Sequence, residues 1–195
     1  MWYFLLINYI YEIQEFRFKH FTGVRKHWVN SAISQGDVSE ASLELIEQFF
    51  DFIEQNHNYG DYYTRSNTNT FIGVDLDEDG VIDVLAEVIY YRRGRIKTFK
   101  IMDIYYSPAI EVLEESSYDY KCIQTLVYIV NQFVHESSDA VGGSTKIYAR
   151  TSASLKYLTQ LHAVTQDEEV KKEFEAAGLE VYREGERWLA FRVKK

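Results

Sequence analysis

From Tyr9 the chain alternates, with Tyr9, Tyr11 and Ile13 on one side and Glu12 and Gln14 on the other, which predicts a first strand. A basic stretch, residues 17–27, then leads into a helical pattern. Leu43, Ile46, Phe49, Phe50 and Ile53 recur at helical spacing behind Ser39, a cap, with Glu40 and Glu44 at the positive end of the helix. Residues 56–69 are polar and predict a loop.

The period then returns to two. Residues 70–76, 81–92 and 95–106 predict three strands, joined by turns at Glu78-Asp79-Gly80 and Arg93-Gly94, hence an antiparallel meander. In the third strand Ile96, Thr98, Lys100 and Met102 alternate with Lys97, Phe99, Ile101 and Asp103. Residues 118–135 carry a helical stripe of Cys122, Leu126, Ile129, Val130 and Phe133. Gly142-Gly143 turns into a strand at 145–151. The helix between makes that strand parallel to 95–106, and the two should splay toward their C-terminal ends. Leu155, Leu158 and Leu161 predict another helix, 167–177 a short one stopped by Gly178, and 180–193 a closing hairpin. The fold class is therefore α/β, a mixed and mostly antiparallel central sheet flanked by helices with a C-terminal hairpin, in one domain over 1–195.

Composition narrows the function classes. Of 195 residues, 46% are hydrophobic and one is proline, so a sizeable core is available. The net charge of −9 argues against nucleic acid and against an anionic membrane surface. The lone cysteine, Cys122, excludes an internal disulfide and points to a reducing compartment. The apolar start, residues 1–7, lacks a basic region and a cleavage site and is too short to span a bilayer, so the expected setting is the cytoplasm, of a cell or of a virus's host. Sixteen tyrosines suit half-buried sheet surfaces or a protein interface.

Asp75, Asp77, Asp79, Gly80 and Asp83 follow the oxygen-rich start of a calcium loop. Ala86 stands where the closing bidentate glutamate belongs and both flanks read as strands, so a plain Asp/Gly hairpin turn without metal is the competing reading. The five histidines have no metal-ligand spacing, and no G-x-S-x-G elbow is present. Arg92-Arg93-Gly94-Arg95 with Lys97 and Lys100 forms a basic hairpin tip, able to grip an anion or simply solvated.

Strand, two helices, meander, helix, strand, helix, hairpin: this order resembles the GNAT class, acyl-CoA-dependent N-acetyltransferases, over nearly the whole chain. Phe174–Leu179 looks like the family's Tyr-x-x-x-Gly-Phe. The resemblance implies an acetyl-CoA cradle at the backbone of Tyr105, Tyr106 and Ser107 and at the helix start Ser116, Ser117 and Tyr118. It implies a carboxylate base on the meander, with Glu87 foremost beside Asp83 and Asp103. Glu87 lies between Ala86 and Val88; the alternative is a cross-hairpin pair with Arg92, Arg95 or Lys97.

Two departures follow. The family's glycine-rich, Arg- or Gln-led loop is replaced by residues 107–117, which hold Glu111, Glu114 and Glu115 and neither glycine nor cation. Each carboxylate near a pyrophosphate would cost on the order of 1 kcal/mol at an effective dielectric near 20. Phe174 stands where the family has the tyrosine that protonates the leaving thiolate, and it cannot donate a proton. The expectation is an atypical or inactive acyltransferase, with no cofactor, or acetyl-CoA if active. The alternative is a binding or structural protein, such as a viral accessory or virion protein, that keeps the fold and serves a protein partner or self-association.

Overall fold

The computed structural model describes residues 18–36, 39–56, 67–76 and 80–194. The predicted strand at Tyr9, Asp77 and Asp79 of the aspartate loop, and most of the 56–69 segment lie outside them. In chain order the elements are α1 (Phe18–Ser34), α2 (Glu40–Gln55), β1 (Asn69–Val74), β2 (Val84–Arg93), β3 (Ile96–Tyr106), α3 (Pro108–Glu111), α4 (Glu115–Ser137), β4 (Ser144–Tyr148), α5 (Ser152–Thr165), α6 (Glu168–Ala176), β5 (Leu179–Glu184) and β6 (Trp188–Val193). The strands form one six-stranded sheet in the order β1-β2-β3-β4-β6-β5. Every neighbouring pair is antiparallel except β3 and β4.

Helices cover both faces, which is why β1 and most of β2 are buried without alternation. On one face Phe71 and Leu85 meet Phe21, Val24 and Trp28 of α1 and Phe50 and Ile53 of α2. On the other, Val88, Phe99 and Ile101 meet Ile129, Val130 and Phe133 of α4 and Leu158 of α5. Phe99 and Phe133 stack at 4.5 Å between centroids. From Phe18 on, the basic stretch predicted before the first helix lies inside α1, where Arg25 reaches Asp51 of α2 at 2.7 Å. Ser39 caps α2 as predicted, its hydroxyl accepting from the Ser42 N–H.

Two features of β3 and β4 shape the molecule. Their parallel pairing runs only from Thr98 opposite Ser144 to Ile101 opposite Ile147, and the strands part beyond it. The β3 register against β2 also shifts: Glu87 faces Asp103 and Val88 faces Ile101, so Met102 is an extra residue. This bulge corrects the alternation expected from sequence. Ile101 and Ile104 pack into the α4 side, whereas Tyr105 packs into the α1/α2 side. Asp103 thus leaves the face of Phe99 and Ile101.

The helix expected at 118–135 begins earlier, at Glu115, and a short helix, α3, precedes it. α6 ends as predicted, with Gly178 just beyond the cap at φ 75°, a conformation that costs glycine little. In the aspartate loop, Asp75 Oδ2 accepts from the Gly80 N–H at 2.7 Å. Asp83 Oδ1 accepts from the Ser107 hydroxyl at 2.6 Å and lies 2.9 Å from His27 Nε2, tying α1 to the end of β3. Among the described residues, no group of three or more His, Cys, Asp or Glu side chains is placed to hold a metal ion, and no helix is long and apolar enough to cross a membrane.

Candidate functional site

Where β3 and β4 part, a cavity of about 790 Å³ opens through the sheet. Its α4/α5 side is lined by Tyr106, Glu111, Tyr118, Cys122, Leu126, Tyr157 and Leu158. Its α1/α2 side is lined by Trp28, Gln35, Leu45, Ile46, Phe49, Asp103 and Tyr105. The described residues that line it include no lysine, arginine or histidine.

The phenols on the α4/α5 side form a network. Tyr106 and Tyr118 hydrogen-bond the Cys122 thiol, and burial pushes all three groups up, Tyr118 to about 12. The Tyr157 hydroxyl donates to Asp119 Oδ1, joining α5 to the first turns of α4. That bond, then burial, raises the Tyr157 phenol, so it stays protonated at neutral pH. Glu111 borders the cavity, and desolvation raises its carboxyl.

On the α1/α2 side five polar side chains meet. Arg150, two residues past β4, donates from Nη1 to Asp103 Oδ2 at 3.0 Å and to the Tyr105 hydroxyl at 3.3 Å. Its Nη1 also lies 3.7 Å from Glu87 Oε2. Glu87 Oε1 accepts from the Asn69 side-chain amide. Asp103 Oδ1 accepts from the Ile104 N–H at 3.0 Å. Burial, then the fields of Asp103 and Glu87, push the Tyr105 phenol to about 12.

The residues singled out from sequence are partly assembled here. Tyr105, Tyr106 and Tyr118 line the cavity; Ser107, Ser116 and Ser117 do not. Ser107 is fully buried and engaged with Asp83. The Ser117 and Tyr118 N–H groups both donate to the Glu114 carbonyl at 2.9 Å, and Glu114 at the cap makes no side-chain hydrogen bond to this helix start. Glu87 is buried but does not line the cavity, and its partners are Asn69 and Arg150 rather than Arg92, Arg95 or Lys97. Phe174 packs on Phe191 at 6.0 Å, away from the cavity. Sequence reasoning missed Tyr157, Arg150, Trp28 and Phe49 as site residues. Tyr157 had a usable signal, a tyrosine beside the Leu155/Leu158 stripe one turn into the helix after β4.

Comparison of the chain with known protein families, with curated proteins and with solved structures finds no match.

Proposed function

We propose that the chain is an atypical GNAT-like acyltransferase domain, taking an acyl thioester such as acetyl-CoA between β3 and β4 and an amine from the α1/α2 side. The observation that supports this reading most is the early end of the parallel pairing at Ile101 and Ile147, which leaves the edge of β3 without a strand partner and opens a cavity through the sheet. The amine nitrogen would attack the thioester carbonyl, forming the C–N bond as the C–S bond breaks. Asp103, the carboxylate on the α1/α2 side of the cavity, would take the ammonium proton, with Arg150 holding it in place. Tyr157 would return a proton to the departing thiolate, the role that Phe174 cannot fill.

A second reading rests on a different observation. Glu111 borders the cavity, and the Glu114 carbonyl occupies the Ser117 and Tyr118 amides that a pyrophosphate would need. Ile33, Leu45 and Phe52 are exposed on α1 and α2. Both favour a protein-binding or structural protein that keeps the fold without the cofactor; a cytoplasmic or virion setting belongs to that proposal.

Thermal unfolding with acetyl-CoA, together with an amine-acetylation assay, separates the two. A ligand at 100 times its dissociation constant adds about 2.7 kcal/mol. Stabilisation by acetyl-CoA and transfer lost in Tyr157→Phe support the enzyme; no stabilisation and no transfer at any concentration support the binding protein.

A further inference from the structure

We infer that the α1/α2 end of the cavity binds a primary ammonium carried on an aromatic body, holding the cation with Asp103 and the ring with Trp28, Phe49 and Tyr105. The inference rests on the acyltransferase reading for the identity of this end as the acceptor side.

Charge comes first. The described lining residues include two carboxylates, Asp103 and Glu111, and no cation. At the α1/α2 end a carboxylate ligand would enter against Asp103, with no lysine, arginine or histidine among the described lining residues to pair with. At the Asp103 end, the Glu87 and Asp103 carboxylates share one guanidinium, that of Arg150. Two negative charges against one positive leave one in excess. Arg150 is 57% exposed and lies toward solvent, whereas Glu87 is 11% exposed. Of the two carboxylates Asp103 is the one that lines the cavity, so an entering cation meets the excess charge there. An entering ammonium completes the balance and donates to a carboxylate already held from two directions, by Arg150 and by the Ile104 N–H.

The wall beside that charge is aromatic. Trp28 and Phe49 stack at 6.1 Å with planes 16° apart, and Phe49 lies 4.7 Å from Tyr105. The Trp28 indole is fixed by donating to the Ile82 carbonyl at 2.9 Å. Phe49 packs against both Trp28 and Tyr105, and the slab they form lines the cavity with an apolar aromatic surface that suits the ring of an aromatic amine. An aliphatic polyamine fits less well. It brings no ring to the aromatic wall, and beyond Asp103 the one other lining carboxylate among the described residues, Glu111, lies on the opposite, α4/α5 side.

The test is calorimetric titration of the full chain with tryptamine, indole-3-acetate and spermidine, each with and without acetyl-CoA. Tryptamine should bind at least about tenfold tighter than indole-3-acetate, a gap of one charge-assisted contact. Asp103→Asn, nearly isosteric, should weaken tryptamine by about tenfold or more. Leu45→Lys changes a residue that is 66% exposed at the mouth and leaves the core alone, so it serves should Asp103→Asn fail to fold. It should weaken tryptamine and not indole-3-acetate. Equal affinity for amine and acid, tighter binding of spermidine, or a folded Asp103→Asn with unchanged tryptamine affinity overturns the inference. Tryptamine binding without acetyl-CoA binding or transfer keeps the amine site and removes the acyltransferase reading. Acetyl transfer that is indifferent to the aromatic body and to Asp103 does the reverse.

Discussion

Asp103 and Arg150 meet at 3.0 Å across the gap that opens once β3 and β4 stop pairing. Both lie beyond the last β3–β4 pair at Ile101 and Ile147, so the ion pair closes at the side chains what the backbone leaves open. Arg150 is more than half exposed, which screens the pair. A double-mutant cycle with Arg150→Ala and Asp103→Asn should return a coupling of about 0.5–1 kcal/mol in denaturant unfolding. A coupling near zero would mean that the gap is held by packing alone.

The angle between β3 and β4 also depends on the turn before β4. A Cβ placed on Gly143 would stand 1.9 Å from the Ser137 carbonyl oxygen at the end of α4, a backbone atom that cannot swing aside. The Gly143 carbonyl meanwhile accepts from the Val193 N–H at 2.8 Å, pinning the turn to β6. Gly143→Ala should therefore destabilise the protein by about 1–3 kcal/mol, as overpacking does. A chemical-denaturation curve unchanged from wild type would contradict this packing.

Stability should carry a mark of Glu111 as well. Desolvation raises its carboxyl in the folded state, so the folded protein binds its proton more readily than the unfolded chain. The native state then gains relative stability at pH values below the ordinary carboxyl range, from 4.5 downward, and loses it as pH rises through the raised value. Glu111 is an exposed residue at the cavity rim, so Glu111→Gln should raise the Tm at pH 7 only slightly, and the difference from wild type should vanish near pH 4. A difference that is flat with pH, or that grows in acid, would place the carboxyl in a different environment.

Much of this was readable from the residues. The meander, its turn at Gly94, the crossover helix and the end of α6 at Gly178 follow from period, turn chemistry and a glycine at positive φ. The site was less legible because it depends on a register shift. Strict alternation puts Asp103 with Phe99 and Ile101, and one extra residue, Met102, turns it to the opposite face beside Glu87 and Arg150. Nothing in the local pattern marks that position, since a bulge is chosen by the packing of two sheet faces rather than by its own side chain. Arg150 was invisible for a related reason, its partners lying 47 and 63 positions away in sequence, on β3 and β2. Phe174 drew attention through a short motif, but α5 rather than α6 brings a phenol to the cavity.

The most direct test of the proposed function is a titration of isotope-labelled protein with acetyl-CoA, followed at the backbone amides of residues 101–106 and 118 and at Tyr157. The carboxylate beside the cleft and the occupied Ser117 and Tyr118 amides predict weak binding, with a dissociation constant above about 10 micromolar, or roughly −7 kcal/mol. The predicted result is saturable shifts confined to those positions and strengthened in Glu111→Gln. No saturable shifts at any of them, or shifts confined to other parts of the sheet, would contradict a thioester site between β3 and β4.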